Sequence, residues 1–284
     1  MPWRTKRTPY RVVVSEFMLQ QTQVERVVAP FESFIACWPS FAALAAASQA
    51  DVLRAWRGLG YNSRAVRLHR LAKAVVAEHD GVLPSDEAVL RTLPGIGTYT
   101  AQAVRAFAFN ADALAVDTNV RRIMHRTQFG IEWPPRASTA QLDAVGLALL
   151  PPGAGYAFNS ALMDLGATLC TARAPKCLIC PLQSVCAAAP LDAATVAARA
   201  KQHAPTRGPQ ERLPFKATTR YVRGRVIERL RTLPENRRIS FLELYRDLVP
   251  AFPHHDADAV AHIVKRLEAD GVLEASDAGI RLSD

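Results

Sequence analysis

The sequence predicts an all-α chain that ends in a small α+β unit, and three observations carry that expectation. At 284 residues and 49% hydrophobic, the chain can bury a full core, and its length suits about two domains. Apolar residues recur at helical spacing through most of it, in segments opened by capping residues and closed by Gly or Pro. Strand-like runs are confined to the last stretch, "VLEASDAGIRLSD", where two short ones flank a turn.

Taken in order, the first helical stretch contains an anomaly. In "YRVVVSEFMLQQ" Glu16 interrupts a run in which Val12, Val13, Val14, Phe17, Met18 and Leu19 all read as core. Next, "SQADVLRAWRGLG" (48–60) has a Ser start, helical spacing and a glycine stop. "SRAVRLHRLAKAVVAEHDG" turns Val66, Leu68, Leu71 and Val75 inward and Arg64, Arg67 and Arg70 outward, as a solvated face or for phosphate contact. "SDEAVLRTLPGIGTYTAQAVRAFAF" (85–109) sets two helices around "LPGIG": Pro94 stops the first, and Gly95 and Gly97 permit a tight turn. Such a turn exposes N–H groups beside a positive helix end, which suits a phosphate, so a helix-hairpin-helix is favoured over a generic helix pair. In "ALAVDTNVRRIMHR" (113–126) Asp117 is the natural N-cap of a helix, and a capping carboxylate can also face a cleft.

Charge and cysteines narrow the class. The formal net charge is +9, which favours a polyanionic partner, most often nucleic acid. No uninterrupted apolar run is long enough for a membrane span, and Glu16 follows three valines too closely for a secretory leader. Four of the five cysteines, Cys170, Cys177, Cys180 and Cys186, form a C-x6-C-x2-C-x5-C series, while Cys37 reads as a buried small hydrophobe. In a reducing compartment the series reads as metal or cluster ligation. Structural zinc favours two C-x2-C pairs, whereas a [4Fe-4S] cluster accepts one thiolate per iron and suits irregular spacing better.

Taken together, Glu16 in "SEFMLQQTQV", "GLGY" at 58–61, "LPGIGTYTA" at 93–101, "VDTNVRR" at 116–122 and the four cysteines resemble the adenine DNA glycosylase (MutY) branch of the endonuclease III superfamily. The resemblance runs in order from Trp3 to about Cys186. It implies a two-lobed helix-hairpin-helix glycosylase core with an iron-sulfur subdomain. On that pattern, residues 1–21 with 112–190 form the cluster domain and 22–111 the six-helix barrel domain. It further implies that Glu16 protonates adenine N7 and later activates water, while Asp117 stabilises the oxocarbenium-like sugar and Asn119 hydrogen-bonds within the site. Tyr99 stands where lyase members carry a nucleophilic lysine, so a monofunctional enzyme is expected. Trp3, Arg4, Leu19 and Val24 would line the base pocket, Gln21 and Tyr61 would intrude into the base stack, and Gly95 and Gly97 would hold a phosphate. The four cysteines would carry a [4Fe-4S] cluster, with Arg173 and Lys176 near phosphates. The implied partner is double-stranded DNA with a mismatched or oxidised base pair, met by a monomer in the bacterial cytoplasm, associated with the nucleoid and making no membrane contact.

Departures from the pattern qualify this. Relatives have a helix upstream of the "PWR" segment, whereas Met1 adjoins it here, so a displaced start or a trimmed cluster domain is expected. Asn62 replaces a second tyrosine, and Ser160 stands where relatives often place Glu or Gln near the base. After an Ala-, Pro- and charge-rich linker (191–218), residues 219–284 lack the strands of a Nudix-like domain. Three helices and a hairpin resemble a winged helix there, whose third helix would present His262, Lys265 and Arg266 to a groove; a helical protein-binding module is the other reading. For the whole chain two other functions are open. A thymine or uracil mismatch glycosylase shares the scaffold but not N7 protonation, and a non-catalytic iron-sulfur DNA-binding regulator needs neither Glu16 nor Asp117.

Overall fold

The structure is a computed structural model, and it describes residues 1–130, 137–202, 213–235, 237–249 and 254–284. The chain opens with α1 (Pro2–Thr5) and α2 (Pro9–Leu19), the latter started by Thr8, whose hydroxyl accepts from Arg11 N, and by proline in the first turn. Then come α3 (Val28–Cys37), α4 (Phe41–Ala45), α5 (Gln49–Ala55) and α6 (Ser63–Glu78). The hairpin at 85–109 forms as expected, from α7 (Glu87–Thr92) and α8 (Thr98–Phe109). Helices α9 (Thr118–Phe129), α10 (Thr139–Leu149) and α11 (Gly155–Thr168) precede the cysteine loop. A short α12 (Ala193–Gln202) stands within the expected linker, of which residues 203–212 lie outside the described residues. The chain closes with α13 (Thr219–Arg231), α14 (Phe241–Leu248), α15 (Ala257–Ala269) and the antiparallel hairpin of β1 (Leu273–Ser276) and β2 (Gly279–Leu282).

Two apolar cores organise these elements. The larger gathers Trp3, Phe17, Met18, Phe31, Phe34 and Trp56 with the inward faces of α6 and α8. The smaller joins α9, α10 and α11 through Leu114, Val120, Ile123, Met124, Leu142 and Leu162. The C-terminal α+β unit is continuous with the larger core through Val222, Val226, Leu244, Ile263 and Leu267. An Ile239–Ile280 bridge adds a third strand-like edge to its hairpin, the arrangement expected of a winged helix. Polar ties dock the unit on α5 and the turn after it: Gln49 Nε2 donates to Gly271 O at 2.8 Å, Arg231 Nε donates to Leu53 O at 2.9 Å, and Arg57 pairs with Glu228.

Two expectations need correction. Arg64 is not on a solvated face: it is 5% exposed, and its guanidinium donates to the carbonyls of Phe17, Met18, Gln20, Leu59 and Gly60 at 2.5–3.2 Å. The reason lies in α2, whose last carbonyls have no partner inside the helix and carry its negative end, so a buried cation there satisfies both. Arg67 and Arg70 do face solvent. Cys37 is exposed rather than buried, because it is the last residue of α3, where Phe34 and Trp38 stack edge-to-face at 4.8 Å and already close the core. Arg64→Met is expected to lower unfolding free energy by about 3–5 kcal/mol, since it strips buried carbonyls of their donor. Chemical denaturation checks this, and a loss below about 1 kcal/mol would show the carbonyls to be satisfied otherwise.

Candidate active site

The anomalous Glu16 is explained by where α2 runs. The helix buries Tyr10, Val13, Val14, Phe17 and Met18 against the larger core. One stripe at helical spacing, Val12, Ser15, Glu16 and Leu19, instead lines a cavity of about 350 Å³. That volume lies within the usual range for a ligand site. Tyr99 from the first turn of α8, Asp117 and Asn119 from the start of α9, and Met163 and Asp164 from α11 complete the walls together with Trp3, Arg4 and Val24. Residues from four separate stretches of sequence therefore meet around one acid.

Burial raises the Glu16 carboxyl to about 7, and the charge of Asp117 pushes the same way, while a hydrogen bond from the Tyr99 hydroxyl opposes both. The Tyr99 phenol is itself driven far above its ordinary range, first by burial and then by the two carboxylates, so it stays a neutral donor. Asp117 is both N-cap and cavity wall, since its Oδ1 accepts from Val120 N at 2.7 Å. The cap reading and the cleft reading of this residue hold together.

Several supporting residues leave no local signal in the sequence. Asn159, fully buried, accepts from Ala115 N at 2.8 Å and donates to Ala113 O and Gly155 O at 2.8 and 2.7 Å. It thereby fixes the extended approach to Asp117. Arg122 donates to Asn119 Oδ1 at 3.0 Å and to Cys170 O at 2.8 Å, joining the cavity wall to the cysteine loop. Arg4 forms a two-pronged pair with Asp164, both contacts at 2.9 Å, and the Arg7 guanidinium lies 3.7 Å from the centre of the Tyr156 ring. "MDLG" and "GAGY" carried no local signal for these roles, because each partner lies more than a hundred residues away in sequence.

Not every expected residue reaches the cavity. Gln21 and Tyr61 stand outside its walls, exposed and with φ of 54° and 45°, a conformation sparsely populated by non-glycine residues. Arg64 ties them together, for it binds Gln20 O and lies 5.5 Å from the Tyr61 ring centre. Ser160 does not line the cavity either. It lies one turn before Met163 and Asp164, buried behind the wall, and its hydroxyl has no hydrogen-bond partner among the described residues. Gly95 and Gly97 lie in the hairpin turn, and they differ. Gly95 has φ of 82° and a Cβ there would come within 2.8 Å of the Phe17 ring, whereas Gly97 caps α8 at φ of −92° beside open space. Gly95→Ala is therefore expected to cost about 2 kcal/mol or more in thermal unfolding, and Gly97→Ala well under that. Equal losses would place the constraint in the hairpin as a whole.

The four series cysteines are free, partly buried thiols that ring one small cavity between α9, the end of α11 and the loop after it. Their surroundings fit a cluster, with Arg126 Nη1 donating to Cys170 Sγ at 3.5 Å and Leu191 N to Cys177 Sγ at 3.4 Å, as stabilised thiolates require. Among the described residues no group of three or more His, Cys, Asp or Glu closes on a single metal ion. A cubane, which takes one thiolate at each of four irons, does not ask for that.

Comparison with known proteins gives consistent matches. The model of the HhH-GPD superfamily base excision DNA repair proteins matches residues 14–145, and that of the iron-sulfur binding domain of endonuclease III matches residues 170–186. The chain is 47% identical over 234 residues to an adenine DNA glycosylase of Mycolicibacterium smegmatis, covering 81% of this chain and 75% of that protein. It is 40% identical over 199 residues to the adenine DNA glycosylase of Homo sapiens, covering 66% of this chain and 36% of that one. Among solved structures, a thermostable thymine-DNA glycosylase superposes with a TM-score of 0.61 at 31% identity, over 66% of this chain and 87% of that chain. A trapped endonuclease III–DNA covalent intermediate shares the fold, with a TM-score of 0.57 at 23% identity over 65% of this chain and 85% of that one.

Proposed function

The chain belongs to the adenine DNA glycosylase family, and from that premise we propose that it hydrolyses the N-glycosidic bond of adenine mispaired with 8-oxoguanine or guanine, as a monofunctional monomer in the nucleoid. The observation that carries the reading is the meeting of Glu16 and Asp117 in one cavity, with the acid held near neutrality and the second carboxylate fixed by a helix N-terminus.

The chemistry follows from those environments. Adenine flipped into the cavity meets Glu16, which near pH 7 is protonated often enough to donate to N7 and turn the base into an acceptable leaving group. As the C1′–N9 bond lengthens, Asp117 faces the developing positive charge on the sugar, an arrangement parallel to two-carboxylate glycoside hydrolysis. After the base departs, the Glu16 carboxylate accepts a proton from water as it adds to C1′. Tyr99, a neutral phenol, supplies no amine for a Schiff base, so the abasic strand leaves uncut. Trp3, Arg4, Leu19 and Val24 shape the base pocket, Asn119 holds its hydrogen-bonding geometry, Gln21 and Tyr61 wedge the stack, and the N–H groups at Gly95 and Gly97 hold a phosphate. Cys170, Cys177, Cys180 and Cys186 hold a [4Fe-4S] cluster, which when bound supplies a rigid crosslink to the loop bearing Arg173 and Lys176.

The test is single-turnover incubation with duplexes containing A opposite 8-oxoguanine, A opposite G, T opposite G and U opposite G, each with and without alkali. Adenine release with breaks only after alkali is the expected result. Release of thymine or uracil would move the protein to the pyrimidine branch, and binding without excision would leave the regulator reading.

A further inference from the structure

We propose that the C-terminal unit joins the DNA interface through α13 and the turn before it, not through its third helix. The proposal rests on the DNA-repair reading for its ligand, and it assigns new contact residues to this chain. A cleft of about 550 Å³ runs between the turn at residues 60–63 and the segment 215–227. Tyr61 stands on one wall, 45% exposed. On the other stand Phe215, 62% exposed and edge-on to Tyr221, and Arg220, whose guanidinium lies 5.4 Å from the Tyr61 ring centre.

The charges on α13 divide into two kinds. Arg223 and Arg229 are paired with Asp270 and Asp247 and hold the unit together, and Arg231 pairs with Glu228 one turn back in the same helix. Lys216, just before the helix, with Arg220 and Arg225 on it, are exposed and form no ion pair among the described residues. Between the last two lies Gly224, exposed in mid-helix, where an added Cβ would meet nothing within 4 Å. A glycine there costs the helix about 1 kcal/mol against alanine and serves no packing, but it allows a bulky backbone to come close.

The position of α13 is fixed relative to the wedge. Arg231, besides its bond to Leu53 O, donates from Nη2 to Asn62 Oδ1 at 2.7 Å, the residue next to Tyr61. Tyr61 belongs to this cleft and Arg64 joins it to the end of α2, so on this proposal a duplex whose nucleotide enters the Glu16 cavity brings its backbone over the cleft. Unpaired cations interleaved with exposed aromatics are what a phosphodiester backbone and its bases require. His262, Lys265 and Arg266 on α15 are exposed but contribute nothing to the cleft.

The test uses the full chain and compares R220E/R225E and F215A with H262E/K265E/R266E. Dissociation constants are measured over a salt series, on an undamaged duplex and on one carrying a non-cleavable adenine analogue opposite 8-oxoguanine. Thermal unfolding confirms that each variant is folded. The α13 double variant should bind both duplexes about tenfold or more weakly, with a salt slope lower by about two, and F215A should weaken binding with the slope unchanged. The α15 variant should change affinity less than about twofold. A larger loss from α15, or wild-type affinity and slope in R220E/R225E, would overturn the proposal. If the wild-type protein binds but releases no adenine, the enzymatic reading fails while the slopes still decide this one.

Discussion

Glu16→Gln is expected to abolish adenine excision while leaving DNA binding intact. General acid catalysis contributes about 10²–10⁴ in rate, and here the same carboxyl also serves the water, so single-turnover rates should fall by about 10³ or more. The pH profile separates this from a packing defect. With the carboxyl at about 7, the wild-type rate should be flat below that value and fall about tenfold per pH unit above it, as the proton is lost. A profile without a break near 7, or a variant retaining more than about a tenth of the rate, would remove Glu16 from the acid role.

The same substitution should stabilise the fold. Raising the carboxyl from 4.5 to about 7 means that the folded protein binds the proton more tightly than the unfolded chain. Wild-type stability therefore falls as pH rises from about 4.5 towards 7 and stays lowered above that. At about 1.4 kcal/mol per unit, Glu16→Gln should be more stable than wild type at pH 8 by up to about 3 kcal/mol, and equal to it near pH 4. Denaturant titrations at the two pH values check this. A rate that collapses while stability rises is the trade expected of a functional acid kept in an apolar wall.

Asp117→Asn is the second large effect, and it divides the residue's two roles. Asparagine caps a helix about as well as aspartate, so α9 should keep its start and thermal stability should change by less than about 0.5 kcal/mol. The anion facing the sugar is lost, and excision should fall by about 10²–10³, the scale of losing one electrostatic stabiliser. Asp117→Ala should lose the cap as well, at about 1 kcal/mol. If Asn retained near-normal excision while Ala lost stability, Asp117 would be a cap and nothing more. Asp117→Asn should also ease the proton off Glu16, since the neighbouring charge that holds it on is removed, so the break in the rate profile should move to lower pH.

The sequence by itself determined the helical class, the hairpin at 85–109, the winged-helix-like end and the ligand set of the cysteine series. All of these are local: a cap, a 3.6-residue period, a glycine turn or a spacing of thiols can be read within one segment. It also singled out Glu16 and Asp117, because an acid in an apolar helix and a capping aspartate are visible departures from local pattern. Only the tertiary structure decided what surrounds them. The stripe Val12, Ser15, Glu16 and Leu19 has a meaning once α8, α9 and α11 close over it, and no period in α2 reports that closure. Arg64 turns inward for the same reason, since its face is set by the orphan carbonyls of α2, which approach from 44 to 47 residues upstream. Ser160 stands where relatives often place Glu or Gln near the base, but the way α11 packs on α9 turns Met163 and Asp164 to the cavity instead. Burial, partner charges and hence the proton on Glu16 are properties of chain crossings, which segment-by-segment reading cannot contain.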